Sequence, residues 1–498
     1  MLSSILAVFV AILIGFLIIM LLWPEQKSII SNFLLKFSLA IGLGFGVSSC
    51  LFFIWRLFNL DFGKFILVEI FVIVALILLR YKLKKQDYYR ELEELSIYNP
   101  KAESESFLQK IFSVGFLMIF FMAMILFIQF SIKFPHGERD AFAIWNVHAR
   151  FLFRGGEHWI DCLTNNIVWF HPDYPLLLPG IIARCWNYIG HEAVMVQILI
   201  SFFFTFAIVG LLFSFISISK SKVQGGLAAW FLLSLPMFIG FGSSQCADVP
   251  LGFFILATII LFSFQDKLDN NNYNLLILAG MMAGLAAWTK NEGLLFLFSI
   301  FIARFITVFL AKGWKTCLKQ LSWFTIGFLP ILLIIIYFKT QLAPPNDIFL
   351  YQKLDQIIVK LTDFSRYSIT LNAFIESLCF MGGFIAPVLL LIYPLLMGIE
   401  INTENKLSII TTSITLFLML MGYFFIYIIT PYDINWHIQS SISRLFIQLC
   451  PILTFLYFML IRTPEEALTK IKKKIKFLKF FITSLTYPIL VIHINSLF

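Results

Sequence analysis

Five short stretches of this chain carry side chains whose types and spacing could do chemistry: "ERDAFAIWNVHAR" (Glu138 to Arg150), "HPDYP" (His171 to Pro175), "SSQCADVP" (Ser243 to Pro250), "TKNEG" (Thr289 to Gly293) and "WHIQSSISR" (Trp436 to Arg444). Asp140 opens a helical pattern, where aspartate makes a good N-cap. The helix dipole also favours a carboxylate there, and such a group can take up a proton. Trp145 and His148, three apart, share one helical face, while Arg150 and Arg154, four apart, lie on another. On a helix lying at a membrane interface the same residues also act as anchors. Asp248 precedes Pro250 and falls in the first turn of the helix that begins "PLGFF", a capping position as well. Lys290 and Glu292 sit in a tight connection between apolar runs. They can pair with each other, yet a lysine at the mouth of a low-dielectric cavity also attracts phosphate. His437 and Arg444, seven apart, point the same way if their segment is helical, and an arginine at a span's edge also snorkels.

These stretches must be positioned by elements built almost wholly of apolar residues. Of 498 residues 60% are hydrophobic and 13% charged, against about 25% charged in soluble domains, so the chain belongs in a bilayer. Its apolar runs match helices crossing a hydrocarbon core of about 30 Å, whereas a barrel would show short alternating segments. The expected fold is an all-α polytopic membrane protein with about 13 to 14 transmembrane helices. Spans are expected near residues 3–23, 30–55, 65–80, 111–134, 193–219, 225–241, 249–265, 275–289, 294–311, 321–338, 379–398, 407–429 and 444–461. The first run, Leu2 to Trp23, has no basic flank or small-residue cleavage site and reads as a retained helix. "PLLLPGIIARCWNYIG" (Pro175 to Gly190), with two prolines and Arg184 in its middle, suits an interfacial or re-entrant helix better than a span. The seven cysteines lack CxxC spacing and suggest neither a zinc site nor a disulfide framework.

The net charge of +9 points to membrane orientation rather than a nucleic-acid partner, because the lysines collect in short loops and near the C-terminus. Placing "RYKLKKQDYYRELEELSIYNPKAESESFLQK" (Arg80 to Lys110), which also reads as a short solvated helix, and "TKIKKKIKFLK" (Thr469 to Lys479) on the cytoplasmic side fixes the path. "SISKSK" (Ser217 to Lys222) and "AKGWKTCLK" (Ala311 to Lys319) then fall inside as well, and all five chemically unusual stretches fall outside. Ionisable groups gathered at one membrane boundary usually line a cavity or pathway. The final "FFITSLTYPILVIHINSLF" (Phe480 to Phe498) reads equally as a span or an interfacial helix. The division expected is a three-span extension and cytoplasmic loop (1–109), a membrane core (110–462) and a basic segment with a hydrophobic helix (463–498).

In this order the stretches resemble the GT-C superfamily of integral-membrane glycosyltransferases, in particular the branch holding protein O-mannosyltransferases and the lipid A aminoarabinose transferase. The resemblance covers residues 110–462 and rests on "ERDAFAIWNVHARFLFRGGEHW", "HPDYPLLLP", "ADVPLGFF", "WTKNEGLLF" and "WHIQSSISRLFIQLCP". It implies a GT-C-like bundle with interfacial helices in the first long external loop. It also implies a polyprenyl-phosphate sugar as donor and a glycan, lipid or protein hydroxyl as acceptor. Asp140 matches the family's external-loop aspartate, which acts as general base or positions the acceptor; Asp248 matches the second aspartate, which would orient the acceptor or hold a cation such as Lys290, itself the match to the later lysine. Departure of a polyprenyl phosphate needs fixed positive charge, for which Lys290, Arg444 and His437 are the candidates. His171, Asp173 and Tyr174 would face the sugar or brace Asp140, with Glu292, Trp145, His148 and Arg150 as further substrate contacts. A divalent cation on Asp140, Asp248 and His171 is chemically conceivable. The chain departs from the family in its three leading spans and in Arg139, which separates Glu138 from Asp140 where the mannosyltransferases carry an acidic pair. The alternative classes are a glycan polymerase or ligase using polyprenyl-diphosphate donors and a lipid-linked sugar transporter or flippase.

Overall fold

The computed structural model describes residues 2–23, 30–60, 62–84, 107–164, 170–268, 273–350, 352–380, 385–401 and 403–470. The lysine-rich 469–479 stretch beyond residue 470, the 480–498 helix and most of the 80–110 loop lie outside them. Among the described residues the chain is helical throughout, with one isolated bridge between Ile399 and Ile461. It is an all-α polytopic membrane protein. The helices are α1 (Leu2–Leu22), α2 (Ile30–Leu57), α3 (Phe65–Lys84), α4 (Phe107–Lys133), α5 (Asn146–Arg154), α6 (Leu177–Ile189), α7 (Val194–Ser219), α8 (Lys222–Leu233) and α9 (Pro236–Ser243). They continue with α10 (Asp248–Leu268), α11 (Asn274–Thr289), α12 (Asn291–Tyr337), α13 (Leu354–Thr362), α14 (Phe364–Phe380), α15 (Ile385–Met397), α16 (Thr403–Ile429) and α17 (Ile434–Leu460).

Eight of these are long and apolar enough to cross a membrane, nine if the bent pair α8 and α9 is one span. That count takes α12 once, although a break at Gly313 (φ 79°) divides it into two passes. α11 and α15 are shorter and α3 carries more charge than such a helix, so the expected thirteen or so spans correspond to fewer full-length crossings. The run expected as one straight span over 225–241 is instead two helices meeting at 68°. Pro236, at the first position of α9, has no N–H with which to continue α8. Ser221 starts α8 by accepting the Gln224 N–H (3.1 Å), an ordinary N-cap. The connection after α12, expected as a loop, holds a helical turn at Asp347–Leu350 and the helices α13 and α14.

Both ends of α12 meet the same cavity, described below, so Gly313 and the lysines beside it lie at the opposite end of the bundle. There Arg304 grips Asp266 through two bonds (2.8 and 2.5 Å) and also donates to Gln320 (2.9 Å), while Gln224 donates to the Phe458 carbonyl (3.1 Å). α1 and α2 share one continuous apolar core with α7, α10, α11 and α17.

The 175–190 segment forms α6, thirteen residues long, buried through most of its length and too short to cross. It is held by charge. Arg184, fully buried, donates from Nη2 to Glu69 of α3 (2.7 Å) and from Nε to its other oxygen (3.1 Å). It also donates to the Ala7 carbonyl of α1. Tyr188 donates to the same carboxylate. An arginine fork matched to a carboxylate is the arrangement best able to offset desolvation.

Removing one member leaves a buried charge without its partner. Arg184→Met alone should therefore lower stability by about 3–5 kcal/mol, whereas the pair Glu69→Leu with Arg184→Met should recover most of it. Unfolding in mixed micelles measures both.

Candidate functional site

At the end of the bundle opposite Gly313, a cavity of about 1330 Å³ opens between the 139–144 segment after α4, the 170–176 turn, the α11–α12 junction, the strap after α12 and the facing ends of α16 and α17. Local geometry at each contributor explains how distant residues converge. After α4 the chain turns at Gly137 (φ 75°), where an added Cβ would lie 2.5 Å from the Ser244 carbonyl. The Glu138 N–H donates to that carbonyl (3.1 Å) and Gln245 Nε2 to the Pro135 carbonyl (3.0 Å). The loop carrying Asp140 is thereby stitched to the corner that starts α10 at Asp248. Between α11 and α12 a single extended residue, Lys290 (φ −160°, ψ 160°), makes the connection. The two helices close so tightly behind it that a Cβ on Gly293 would lie 1.8 Å from the Ala286 carbonyl. α17 begins where Asp433 accepts the Trp436 N–H (2.9 Å).

Asp248, fully buried, is the centre of the polar cluster. Its Oδ1 accepts from Lys290 Nζ (2.9 Å) and Gln448 Nε2 (2.7 Å), and its Oδ2 from Arg444 Nε (3.0 Å). Lys290 also pairs with Glu292 (2.7 Å), and Arg444 reaches from Asp248 to Asp140. Tyr423 donates to Gln448 (2.8 Å) and so fixes the amide that holds Asp248. Burial disfavours the Lys290 charge, but Asp248 and Glu292 more than offset this and hold its pKa above the ordinary lysine value, so it stays protonated. Burial pushes Glu138 up, opposed by Arg444 and assisted by Asp140 and Asp248. The cluster holds three carboxylates, Asp140, Asp248 and Glu292, against two cations, Lys290 and Arg444.

The HPDYP turn forms a second layer. His171 takes a left-handed backbone (φ 45°), a conformation histidine tolerates better than most residues. The Tyr174 ring stacks with both His171 (4.7 Å) and Trp145 (5.6 Å), and Lys290 Nζ lies 5.8 Å from its centroid. Asp173 accepts from Asn291 Nδ2 (2.7 Å) and Asn346 Nδ2 (2.8 Å) through Oδ2. Lys339 donates to Asn291 Oδ1 (2.7 Å) and to the Asp173 carbonyl. Near the mouth, His437 Nδ1 is hydrogen-bonded to Thr430 Oγ1 (2.8 Å) and Tyr432 donates to Asp347 (2.8 Å).

Of the residues singled out from sequence, Asp140, His171, Tyr174, Lys290, Glu292, His437 and Arg444 line this one cavity. Asp248 lies just beneath it. The N-cap expected at Asp140 is not formed. Its backbone is already helical (φ −72°, ψ −31°) and its side chain makes no capping bond, because it reaches Arg444 instead. Asp173 does not brace Asp140; it holds Asn291 and Asn346. Trp145 is fully buried behind Tyr174. Arg150 faces away from the cavity, pairing with Glu192 (3.2 Å) alongside Arg154 and lying over Phe142 (5.1 Å). His148 is fully buried, with neither ring nitrogen bonded to a described residue. Among the described residues no group of three histidines, cysteines or carboxylates could hold a metal ion, and Asp140 and Asp248 both turn to Arg444. The cavity also draws in Arg139, Lys339, Asn346, Asp347, Tyr423, Tyr427, Tyr432 and Trp436, which the sequence reading did not select. Gln448, four residues after Arg444 and hence on the same helical face, was detectable by spacing.

Compared with known proteins, the chain matches no family model, no curated protein and no solved structure.

Burial holds the His148 imidazole down at about 4, with His171 adding to this and Asp173 opposing it. The folded protein therefore keeps a neutral ring that the unfolded chain protonates below about 6.5. Stability from this group is complete above that pH and falls as pH drops from about 6.5 to about 4, by a total on the order of 3 kcal/mol. His148→Phe should flatten this part of the stability curve, measured by unfolding in micelles between the two pH values.

Proposed function

We propose that the chain is a glycosyltransferase moving a sugar from a polyprenyl-phosphate donor to an acceptor hydroxyl, with inversion, at the non-cytoplasmic boundary of the membrane. The observation that carries this reading is the Asp140–Arg444–Asp248–Lys290 cluster at one end of a helical bundle, in a cavity large enough for a sugar and its acceptor. A lipid-linked donor keeps its tail in the bilayer while its phosphate and sugar reach water, which demands a site at this level. The lysine-bearing turns at the opposite end support placing the cavity outside, in keeping with the bias of cytoplasmic loops toward lysine and arginine. For a bacterium this is the plasma membrane with the site facing the periplasm or exterior.

In this reading Asp140 takes the proton of the acceptor hydroxyl as its oxygen attacks the anomeric carbon. The bond from that carbon to the phosphate oxygen breaks, and the phosphate leaves with the bonding electron pair. Of the cluster's carboxylates Asp140 and Glu292 both line the cavity, Asp140 the more open of the two (side chain 38% exposed against 18%), whereas Asp248 is sealed beneath it and serves to aim Lys290 and Arg444. Because these two cations already face three carboxylates, the departing phosphate also draws on Arg139 and Lys339 in the same cavity. His437, tied to Thr430, stands near the mouth as a hydrogen-bonding partner for the sugar or the phosphate.

The test is release of free polyprenyl phosphate from a panel of polyprenyl-phosphate sugars, by purified protein with an acceptor extract. Asp140→Asn should lower release by about a hundredfold or more with donor binding retained. If no donor turns over, or the variant matches the wild type, the reading is wrong and a diphosphate-donor polymerase or a transporter takes its place.

A further inference from the structure

The connection between α12 and α14 is fastened over the cavity at one end and carries an uncovered apolar face at the other. Beside the site Asn346 donates to Asp173 and Asp347 accepts from Tyr432 (both 2.8 Å). Hydrogen bonds then run outward: Gln352 Nε2 donates to the Ile348 carbonyl (2.5 Å), and Lys360 Nζ donates to Gln352 Oε1 (2.5 Å). This ladder ends on α13, whose first turn is closed by Gln356 accepting the Lys353 N–H (3.2 Å). Leu354, Ile357, Ile358 and Leu361 follow the i, i+3, i+4, i+7 spacing of one helical face. No residue of α13 is buried. Leu354 is 77% exposed, Ile358 55%, and Phe364 just beyond the helix 83%. Lys353, Asp355, Gln356, Lys360 and Thr362 occupy the remaining faces, together with one apolar residue, Val359 (67% exposed).

The partner for this stripe follows from where the helix is pinned. Nine residues cannot cross a bilayer, and charges at both ends resist deep insertion. After α13 the chain is fixed by Arg366, which donates to the carbonyls of Ile428 (2.7 Å) and Tyr427 (3.3 Å) in the last turn of α16 and of Thr430 (3.3 Å) just past it. α16 is a membrane-crossing helix ending at the cavity. α13 is therefore held level with the end of a span, where acyl chains meet headgroups. A short helix with one apolar stripe and a charged remainder is the form that lies in that boundary.

We propose that α13 is seated flat in the lipid headgroup boundary of the leaflet on which the cavity opens, and that this seating holds the 343–350 strap over the cavity. The lipid surface is then a structural partner of the site's roof. The proposal rests on the geometry alone and stands whether or not the catalytic reading does.

The experiment uses the full chain in phospholipid nanodiscs, with the exposed Cys379 replaced by serine; the other six cysteines are buried. An environment-sensitive fluorophore is placed at Ile358→Cys on the stripe or at Gln356→Cys on the opposite side of the helix. At position 358, lipids carrying a nitroxide at carbon 5 should quench at least about twofold more than those labelled at carbon 12, and at least about twofold more than at position 356. Equal quenching at the two positions, stronger quenching by the carbon-12 label, or a stripe covered by a second chain in Ile358→Cys disulfide dimers would each overturn it. In the same nanodiscs Ile358→Asp with Leu361→Asp should speed amide exchange across 343–350 about tenfold while α16 and α17 keep their protection. Unchanged exchange in the strap would refute the coupling between membrane seating and roof.

Discussion

Asp248 is a carboxylate with no access to water that meets three donors at once: the lysine between α11 and α12, and the arginine and glutamine on successive turns of α17. Placing an ion at such depth is expensive unless its partners are arranged in advance, since removing one leaves the rest uncompensated. Most of the site's local structure can be read as meeting that demand. The single-residue extended link at Lys290, the close helix approach at Gly293, the amide held by Tyr423 and the stitched loop before Asp140 all bring a charge or a dipole to one spot. The apolar mass of the bundle supplies burial, and this carboxylate sets where the helices must converge.

The same arrangement makes the cavity electrically balanced rather than openly cationic. Lys290 and Arg444 are each shared between two carboxylates. A ligand bearing phosphate would exchange partners with these ion pairs instead of entering an empty positive pocket. Preorganised charge of this kind needs little rearrangement when new charge develops beside it. Around it the lining turns to tyrosines, Trp436 and asparagine amides, which offer flat apolar faces and hydrogen bonds together.

The fold class was legible because the composition allows little else, and much of the site was legible because ionisable residues fell at one end of alternate spans. Asp140, Lys290, Glu292, His437 and Arg444, spread over some 300 residues of sequence, do share one cavity. What escaped depends on partners that helical spacing cannot reveal. Arg150, expected as a substrate contact, pairs with Glu192 away from the cavity, and nothing in its own stretch announces that partner. Arg184 read as an interruption of an apolar run, and only the position of Glu69 on a different helix turns it into a staple. Lys339 and Asn346 lie where a helix end passes into an irregular strap, beyond the reach of periodicity. Pro236 marks the bend between α8 and α9, but the apolar run continues across it, and hydropathy alone reads as one straight span there.

The order of the residues in the central cluster bears on how the chain is made. Synthesis delivers Asp140 first, then Asp248, then Lys290 and Glu292, and Arg444 only after another 150 or so residues. Until α17 enters the membrane the three carboxylates share a single lysine, and Gln448 is not yet there to hold Asp248. The nascent bundle is therefore charge-frustrated until its final described span arrives, so the last of the described spans to be inserted is also the one that locks the earlier ones together.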